Sequence, residues 1–327
     1  MRIAVSVGLA IALSTALSSH AEQSGSLVRQ DMRVILLGTQ GGPTFSAQRL
    51  GIGTLVVAGQ ERLLFDAGRS ITTGMMRAGV NPADVTRVFL THLHSDHVIS
   101  MPELMISPWA QGRKVPLEVW GPEGTRAMMQ KFEEALAFDI HDRRDSDVNL
   151  PAEGVRVVAK DIREGMVYES NGVKVTAFLV DHGHVKPAFG YRIDFNRRSV
   201  AISGDTKPSA NLVKFSTGVD LLIHEVSRWK QDPVLSGPPD ELLPNSTLTR
   251  RQARIIANVH SDGVEVGTVL AQVKPRLAVF SHHNANPKTA LPLVRQQYDG
   301  PVEFGEDLMA IDIGEQVTIQ RLGGATR

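Results

Sequence analysis

Three imidazoles and one carboxylate fall within the six residues 92–97 of Thr91-His92-Leu93-His94-Ser95-Asp96-His97, directly after residues 86–90, a β-branched and aromatic run that reads as a strand. No other feature limits the chain as strongly. A turn at a strand end can aim several side chains at one point while the strand stays rigid. In an extended stretch His92 and His94 project to one side, whereas Asp96 and His97 lie past the bend and serve a neighbouring ion, so two metals fit better than one. A solvated polar loop is the alternative, and it leaves the density of histidines unexplained.

The sequence has no cysteine, so any metal is held by histidine and carboxylate, and the eleven histidines carry the information. Zinc generally takes four ligands. Further candidates follow other short apolar runs: His182 after residues 175–180, Asp205 in Ser203-Gly204-Asp205-Thr206 after 200–202, and His282 in Ser281-His282-His283 after 277–280. Singly, each reads as a hydrogen-bonded strand-end residue; four such sites in one chain read as a ligand set. A one-residue slip exchanges His282 for His283, and spacing from the strand favours His282. His184 reads as a pocket-lining or solvent residue.

The frame around these residues is α/β. Strands are expected at 33–37, 53–58, 62–65, 117–120, 155–159, 172–180, 189–194, 199–203 and 221–223, and helices at 70–78, 125–137, 247–258 and 263–272. They alternate without a linker, repeat or low-complexity tract, so residues 22–327 are read as one domain. Residues 1–21 carry Arg2, an apolar run over 3–17 and small residues up to Ala21, the pattern of a cleaved signal peptide, which predicts a periplasmic or secreted protein. The run is short of the roughly 20 residues a membrane span needs. Lysine plus arginine and aspartate plus glutamate both number 35, so no global field draws in phosphate backbones or acidic lipid, and a small-molecule substrate is expected with neither nucleic acid nor membrane as partner.

The order His-x-His-x-Asp-His, His, Gly-Asp-Thr, His resembles the metallo-β-lactamase superfamily. Leu37-Gly38-Thr39 with Gly42-Pro43-Thr44, Leu64-Phe65-Asp66-Ala67-Gly68, Phe189-Gly190-Tyr191-Arg192, Ser203-Gly204-Asp205-Thr206 and His224-Glu225 narrow the likeness to its ribonuclease Z branch and zinc arylsulfatase relatives, over nearly all of residues 33–283. The resemblance implies a four-layer αββα sandwich, single-domain, with two Zn2+ per chain, Mn2+ or Fe2+ being possible substitutes. It assigns His92, His94 and His182 to one ion, Asp96, His97 and His282 to the other, and Asp205 as the bridge. Asp66 becomes the outer acceptor of a ligating imidazole N–H, against the alternative of a turn aspartate before Gly68. It also makes His260 the general acid, oriented by Glu225, against the alternative that His260 caps a helix near Gly263, and lets Asp96 orient the attack. Relatives are often dimers, which suggests a homodimer.

The implied chemistry is hydrolysis of a small ester-like substrate, an aryl sulfate ester or a phosphodiester, by a metal-bridging hydroxide. Hydrolytic dehalogenation of a chlorinated aromatic, lactone or β-lactam opening, and a non-catalytic binding module are the alternatives. Transfer RNA is disfavoured on two grounds: a bare hairpin over 193–202 stands where ribonuclease Z carries its RNA-gripping arm, and export removes the chain from cytoplasmic RNA. The proline-rich residues 227–245 are expected to overhang the metals as a lid, with Trp229 and Trp109 as pocket walls; the methionines at 101 and 105 are expected to face a helical core.

Overall fold

Apolar side chains alternate along the strands, and that alternation sets the layering. In Met32–Gly38, Val34 and Leu36 pack into one core and Ile35 and Leu37 into another; in Glu61–Phe65 the same split separates Leu63 and Phe65 from Leu64. A sheet with two apolar faces must be covered on both. The computed structural model, which describes residues 32–227, 230, 233–244 and 246–322, does this with two sheets placed face to face and helices outside each. The expected four-layer α/β sandwich is what is found. The signal segment over residues 1–21 lies outside the described residues.

The first sheet runs Val317–Arg321, Met309–Ile313, Met32–Gly38, Gly53–Ala58, Glu61–Phe65, Arg87–Phe89, Leu117–Gly121, Val157–Asp161. The second runs Val302–Phe304, Leu277–His283, Leu221–Val226, Arg198–Ile202, Phe189–Phe195, Val173–Leu179, Gly165–Ser170. Between them lies a core that includes Val56, Phe89, Trp120, Tyr191, Ile223 and Val279. Phe89 stacks on Phe65 at 5.0 Å and on Trp120 at 4.8 Å, and Tyr191 seals the sheets with its hydroxyl donating to the Leu90 carbonyl at 2.6 Å. Outside the first sheet pack helices Ile71–Arg77, Met101–Ala110 and Thr125–Ala135; outside the second, Ala210–Ser216, Gly263–Val273 and Pro287–Val294.

Strands Gly165–Ser170, Val302–Phe304, Met309–Ile313 and Val317–Arg321 have no counterpart in the sequence reading. Val317–Arg321 alternates apolar and polar side chains and forms the sheet edge by pairing to Met309–Ile313, which in turn pairs to Met32–Gly38. The hairpin between Phe189–Phe195 and Arg198–Ile202 is bare, as expected: Asn196 and Arg197, at φ 48° and 64°, close it in a two-residue turn. Met101 and Met105 lie in the helical core. Among the described residues no helix is long and apolar enough to cross a membrane.

Candidate metal centre

Every predicted ligand sits at or just past the end of a strand on one rim of the sandwich. The 92–97 segment leaves Arg87–Phe89 and turns into the short helix Ser95–Val98; His182 follows Val173–Leu179, Asp205 follows Arg198–Ile202, and His282 is the penultimate residue of Leu277–His283. The site depends on the two sheets meeting, since the first supplies the cluster and the second the rest.

The seven side chains form two nests. In one, His94 Nδ1 lies 2.9 Å from His92 Nε2 and 3.4 Å from His182 Nε2. In the other, His282 Nε2 lies 3.2 Å from both His97 Nε2 and Asp96 Oδ2, with Asp96 Oδ2 3.6 Å from His97 Nε2. Asp205 Oδ2 stands between them, 4.0 Å from His92 Nε2, 3.9 Å from His182 Nε2 and 3.5 Å from His97 Nε2. Tetrahedral zinc with bonds of 2.0–2.1 Å spaces its ligand atoms at about 3.3 Å. The observed spacings bracket that value, and the buried Asp205 Oδ1 has no hydrogen-bond partner among the described residues, so the donor set fits a pair of divalent cations.

The protonation states suit ligation. Burial pushes His92 well below the usual histidine range, and it brings His182 down to about 4, leaving lone pairs at neutral pH. His182 Nδ1–H donates to the Val259 carbonyl at 3.0 Å, which turns Nε2 toward the nest. Asp66 accepts the His97 Nδ1–H at 2.8 Å and is itself held by the Thr91 N–H at 2.8 Å and the Thr91 hydroxyl at 2.9 Å. It is an outer acceptor rather than a turn aspartate. Burial disfavours charge on Asp96, yet the neighbouring His282 and His97 rings hold its carboxyl down at about 2.

His282, not His283, faces the nests. His282 takes φ 47°, which breaks strand alternation and turns its ring inward, while His283 Nε2–H donates to the Gly305 carbonyl at 3.0 Å. The sequence offered no sign of that left-handed residue. His184 is exposed on the pocket rim.

Beside the ligand nests, His260 Nδ1 lies 2.8 Å from Glu225 Oε2, and the other Glu225 oxygen accepts the Thr206 N–H at 2.6 Å. Burial opposes charge on His260, but the Glu225 carboxylate outweighs it and lifts the ring to about 9. His260 does not cap the following helix; Asp262 does, in a reciprocal capping box with Glu265.

A pocket of about 350 Å³ opens over this floor of His94, Asp96 and His260, and the apolar side chains Ile255, Ile256 and Val259 form one wall. Two expectations are corrected here. Of the described part of the 227–245 segment only Ser227 lines the pocket; over 233–244, Leu235 and Leu243 pack on Ala253 and Ala257, and Arg250 and Arg254 donate to the Val234 and Leu235 carbonyls, so that stretch is latched to helix Arg250–Ala257 and does not overhang the ligand nests. Trp109 is no pocket wall; it is 1% exposed beside Ile140 and Val155, with its indole N–H donating to the Pro151 carbonyl at 2.8 Å. Trp229 lies outside the described residues.

A profile of the beta-lactamase superfamily domain matches residues 61–283. Ribonuclease Z of Mycobacterium avium (strain 104) is 31% identical over 295 residues, covering 86% of this chain and 98% of the relative. Ribonuclease Z of Mycobacterium sp. (strain KMS) is 30% identical over 310 residues, covering 89% and 100%. Among solved structures, a metallo-β-lactamase-fold protein of Bacillus subtilis superposes with TM-score 0.63 at 17% identity over 85% of this chain and 98% of that one, and the short form of human tRNase Z with TM-score 0.59 at 23% identity over 86% and 99%. These likenesses overturn the expectation of a small-molecule substrate without nucleic acid, since the relatives are by name enzymes of RNA. A balanced net charge and a bare hairpin do not exclude RNA, because a substrate meets the local pocket surface and not the charge sum. With a matched profile over most of its length and near full-length likeness to these enzymes, the chain belongs to the metallo-β-lactamase superfamily, in its ribonuclease Z branch.

Proposed function

We propose that this protein is a two-metal phosphodiesterase of the ribonuclease Z type that hydrolyses a phosphodiester bond in RNA. The observation that carries the reading is the pair of ligand nests sharing Asp205, with the His260–Glu225 pair beside them on the same pocket. When bound, a pair of divalent cations supplies an acidified water and a clamp on the attacking and departing oxygens. His92, His94 and His182 would hold one ion and Asp96, His97 and His282 the other, with Asp205 within reach of both nests. Asp66 and the Val259 carbonyl keep His97 and His182 in the tautomer that presents Nε2. Asp96, on the pocket floor, orients the water and accepts its proton as the water oxygen bonds to phosphorus. The phosphorus–oxygen bond to the leaving group breaks, and His260, held by Glu225 through Nδ1–H, gives its Nε2 proton to the departing oxygen.

Phe45 supports RNA as the substrate class. Its ring is 92% exposed, the Arg69 guanidinium stands 4.9 Å from its centroid, and the loop carrying it continues from Gly41, Gly42 and Pro43 in the pocket wall. An exposed aromatic with a cation against it is a stacking platform for a base. Export, with cleavage after Ala21, is a separate proposal, under which the RNA met by the enzyme lies outside the cytoplasm; it is checked by the mass of the chain recovered there.

The deciding experiment incubates zinc-loaded protein with an RNA oligonucleotide, the matching DNA and bis(4-nitrophenyl) phosphate. Cleavage of RNA to defined ends, abolished by chelation, is expected. Protein holding two zincs that leaves both RNA and the diester intact would refute the proposal.

A further inference from the structure

His282 reaches the ligand nests through an unusual stretch of backbone. Where Leu277–His283 pairs with Leu221–Val226, Glu225 lies opposite Ser281 and Val226 opposite His283, so His282 is the extra residue of a β-bulge. Its φ of 47° is left-handed, a conformation that residues with a Cβ keep only where the surroundings hold them in it. The neighbouring strand on the other side, Val302–Phe304, pairs with residues 278–280 and stops short of the bulge.

The loop that leaves Met32–Gly38 borders the bulge instead. Gln40 forms an isolated parallel bridge with His283, and the His283 N–H donates to the Thr39 carbonyl at 3.1 Å. Gly41 lies so close over the His282 peptide that a Cβ on it would come within 2.8 Å of the His282 carbonyl oxygen. Arg49, near the far end of the same loop, ties this contact together. Its Nη1 donates to the His283 carbonyl at 2.8 Å, while its Nη2 donates to the Thr39 carbonyl and, at 2.9 Å, to the Thr39 hydroxyl. The planar fork therefore spans both segments between which the bulge is held, a reach that a point-like ammonium does not have. Asp307 fixes the frame of this clamp: one carboxylate oxygen accepts the Thr39 N–H at 2.9 Å and the Thr39 hydroxyl at 2.7 Å, and the other accepts the Leu50 N–H at 2.6 Å. Arg49 is not among the residues that line the pocket, so its influence on the metal centre passes through the loop and the bulge.

We propose that Arg49 is a positioning residue for the metal centre: by clamping the Thr39 and His283 carbonyls together it keeps His282 in the left-handed bulge that delivers its ring to Asp96 and His97. Asp307 holds the clamp in place. The proposal rests on the two-metal reading in taking His282 as a ligand.

Competition of zinc against a chromogenic chelator and a crystal structure of the metal-free variant test it. Arg49→Met keeps the stem and removes the donors. It should weaken one of the two zincs by about 10–100-fold, the loss usual when the support behind a ligand is removed, and leave the other unchanged. The zinc that weakens should be the one that His282→Ala also weakens, and residue 282 should leave the left-handed region in the metal-free Arg49→Met crystal. Arg49→Lys, which can donate to one carbonyl but not bridge both as the fork does, should bind that zinc with an affinity between those of the parent and Arg49→Met. Arg49→Met holding both zincs as tightly as the parent would overturn the proposal. So would equal weakening of both zincs, which a general loosening of the loop predicts, or zinc loss with the backbone at residue 282 unmoved. Should Arg49→Met fail to fold, Arg49→Lys in the same two measurements decides. Parent protein binding fewer than two zincs counts against the proposed function, whereas the backbone at residue 282 is read from the metal-free crystal in either case.

Discussion

Replacing His260 with alanine probes the chemistry most sharply, because the structure specifies both the charge of the ring and its direction of action. With its affinity for a proton raised to about 9, His260 is predominantly protonated at pH 7, and its Nδ1–H is committed to Glu225 at 2.8 Å. The Nε2 proton is therefore the one available over the pocket. A positioned general acid contributes about 10²–10⁴ in rate, or roughly 3–5 kcal/mol of barrier at 1.36 kcal/mol per decade. The whole of that is expected to be lost from kcat/KM on RNA, whose ribose oxygen departs as a strong base. Bis(4-nitrophenyl) phosphate, whose leaving group needs no proton, should lose less than about tenfold. The pH profile carries the sign: the protonated ring is active, so kcat on RNA falls as pH rises through about 9, and His260→Ala lacks this limb. Glu225→Gln removes the carboxylate that lifts the ring, so the limb should move down toward about 6.5, the ordinary histidine value. Equal losses on the two substrates, or an alkaline limb that stays in place in Glu225→Gln, would refute the assignment.

Asp205→Ala should reduce bound zinc from two per chain to one or none, measured by inductively coupled plasma mass spectrometry on dialysed protein, because Asp205 Oδ2 is the atom within reach of both nests. Asp66→Asn removes the negative acceptor of the His97 proton and should weaken zinc about 10–100-fold in chelator competition, without unfolding the metal-free chain in a thermal melt. Phe45→Ala should raise KM for a single-stranded RNA oligonucleotide by about 5–150-fold, the equivalent of about 1–3 kcal/mol of base stacking, while kinetics on bis(4-nitrophenyl) phosphate stay put. Phe89→Ala, at a fully buried ring stacked on Phe65 and Trp120, should cost about 3–5 kcal/mol in urea denaturation.

The dense cluster at residues 92–97, the missing cysteines and the alternating apolar runs were legible in one dimension, because ligand chemistry and strand period are local properties. From them follow the metal chemistry and the α/β class, and with the resemblance to a known family, the seven ligands. Substrate class was misread, since net charge and the length of one hairpin say little about the surface a substrate meets.

Contacts between distant segments belong to the tertiary structure alone. The two sheets must close before Asp205 comes within 4.0 Å of His92, and a left-handed backbone at His282 decides which of two adjacent histidines turns inward. The pocket wall is Ile255, Ile256 and Val259 rather than Trp109, because that indole found a dry place against Ile140 and Val155 with its N–H satisfied. Residue type sets what a side chain can do. Which neighbours it does it with is set by the crossing of strands far apart in the chain, and no local pattern records that crossing.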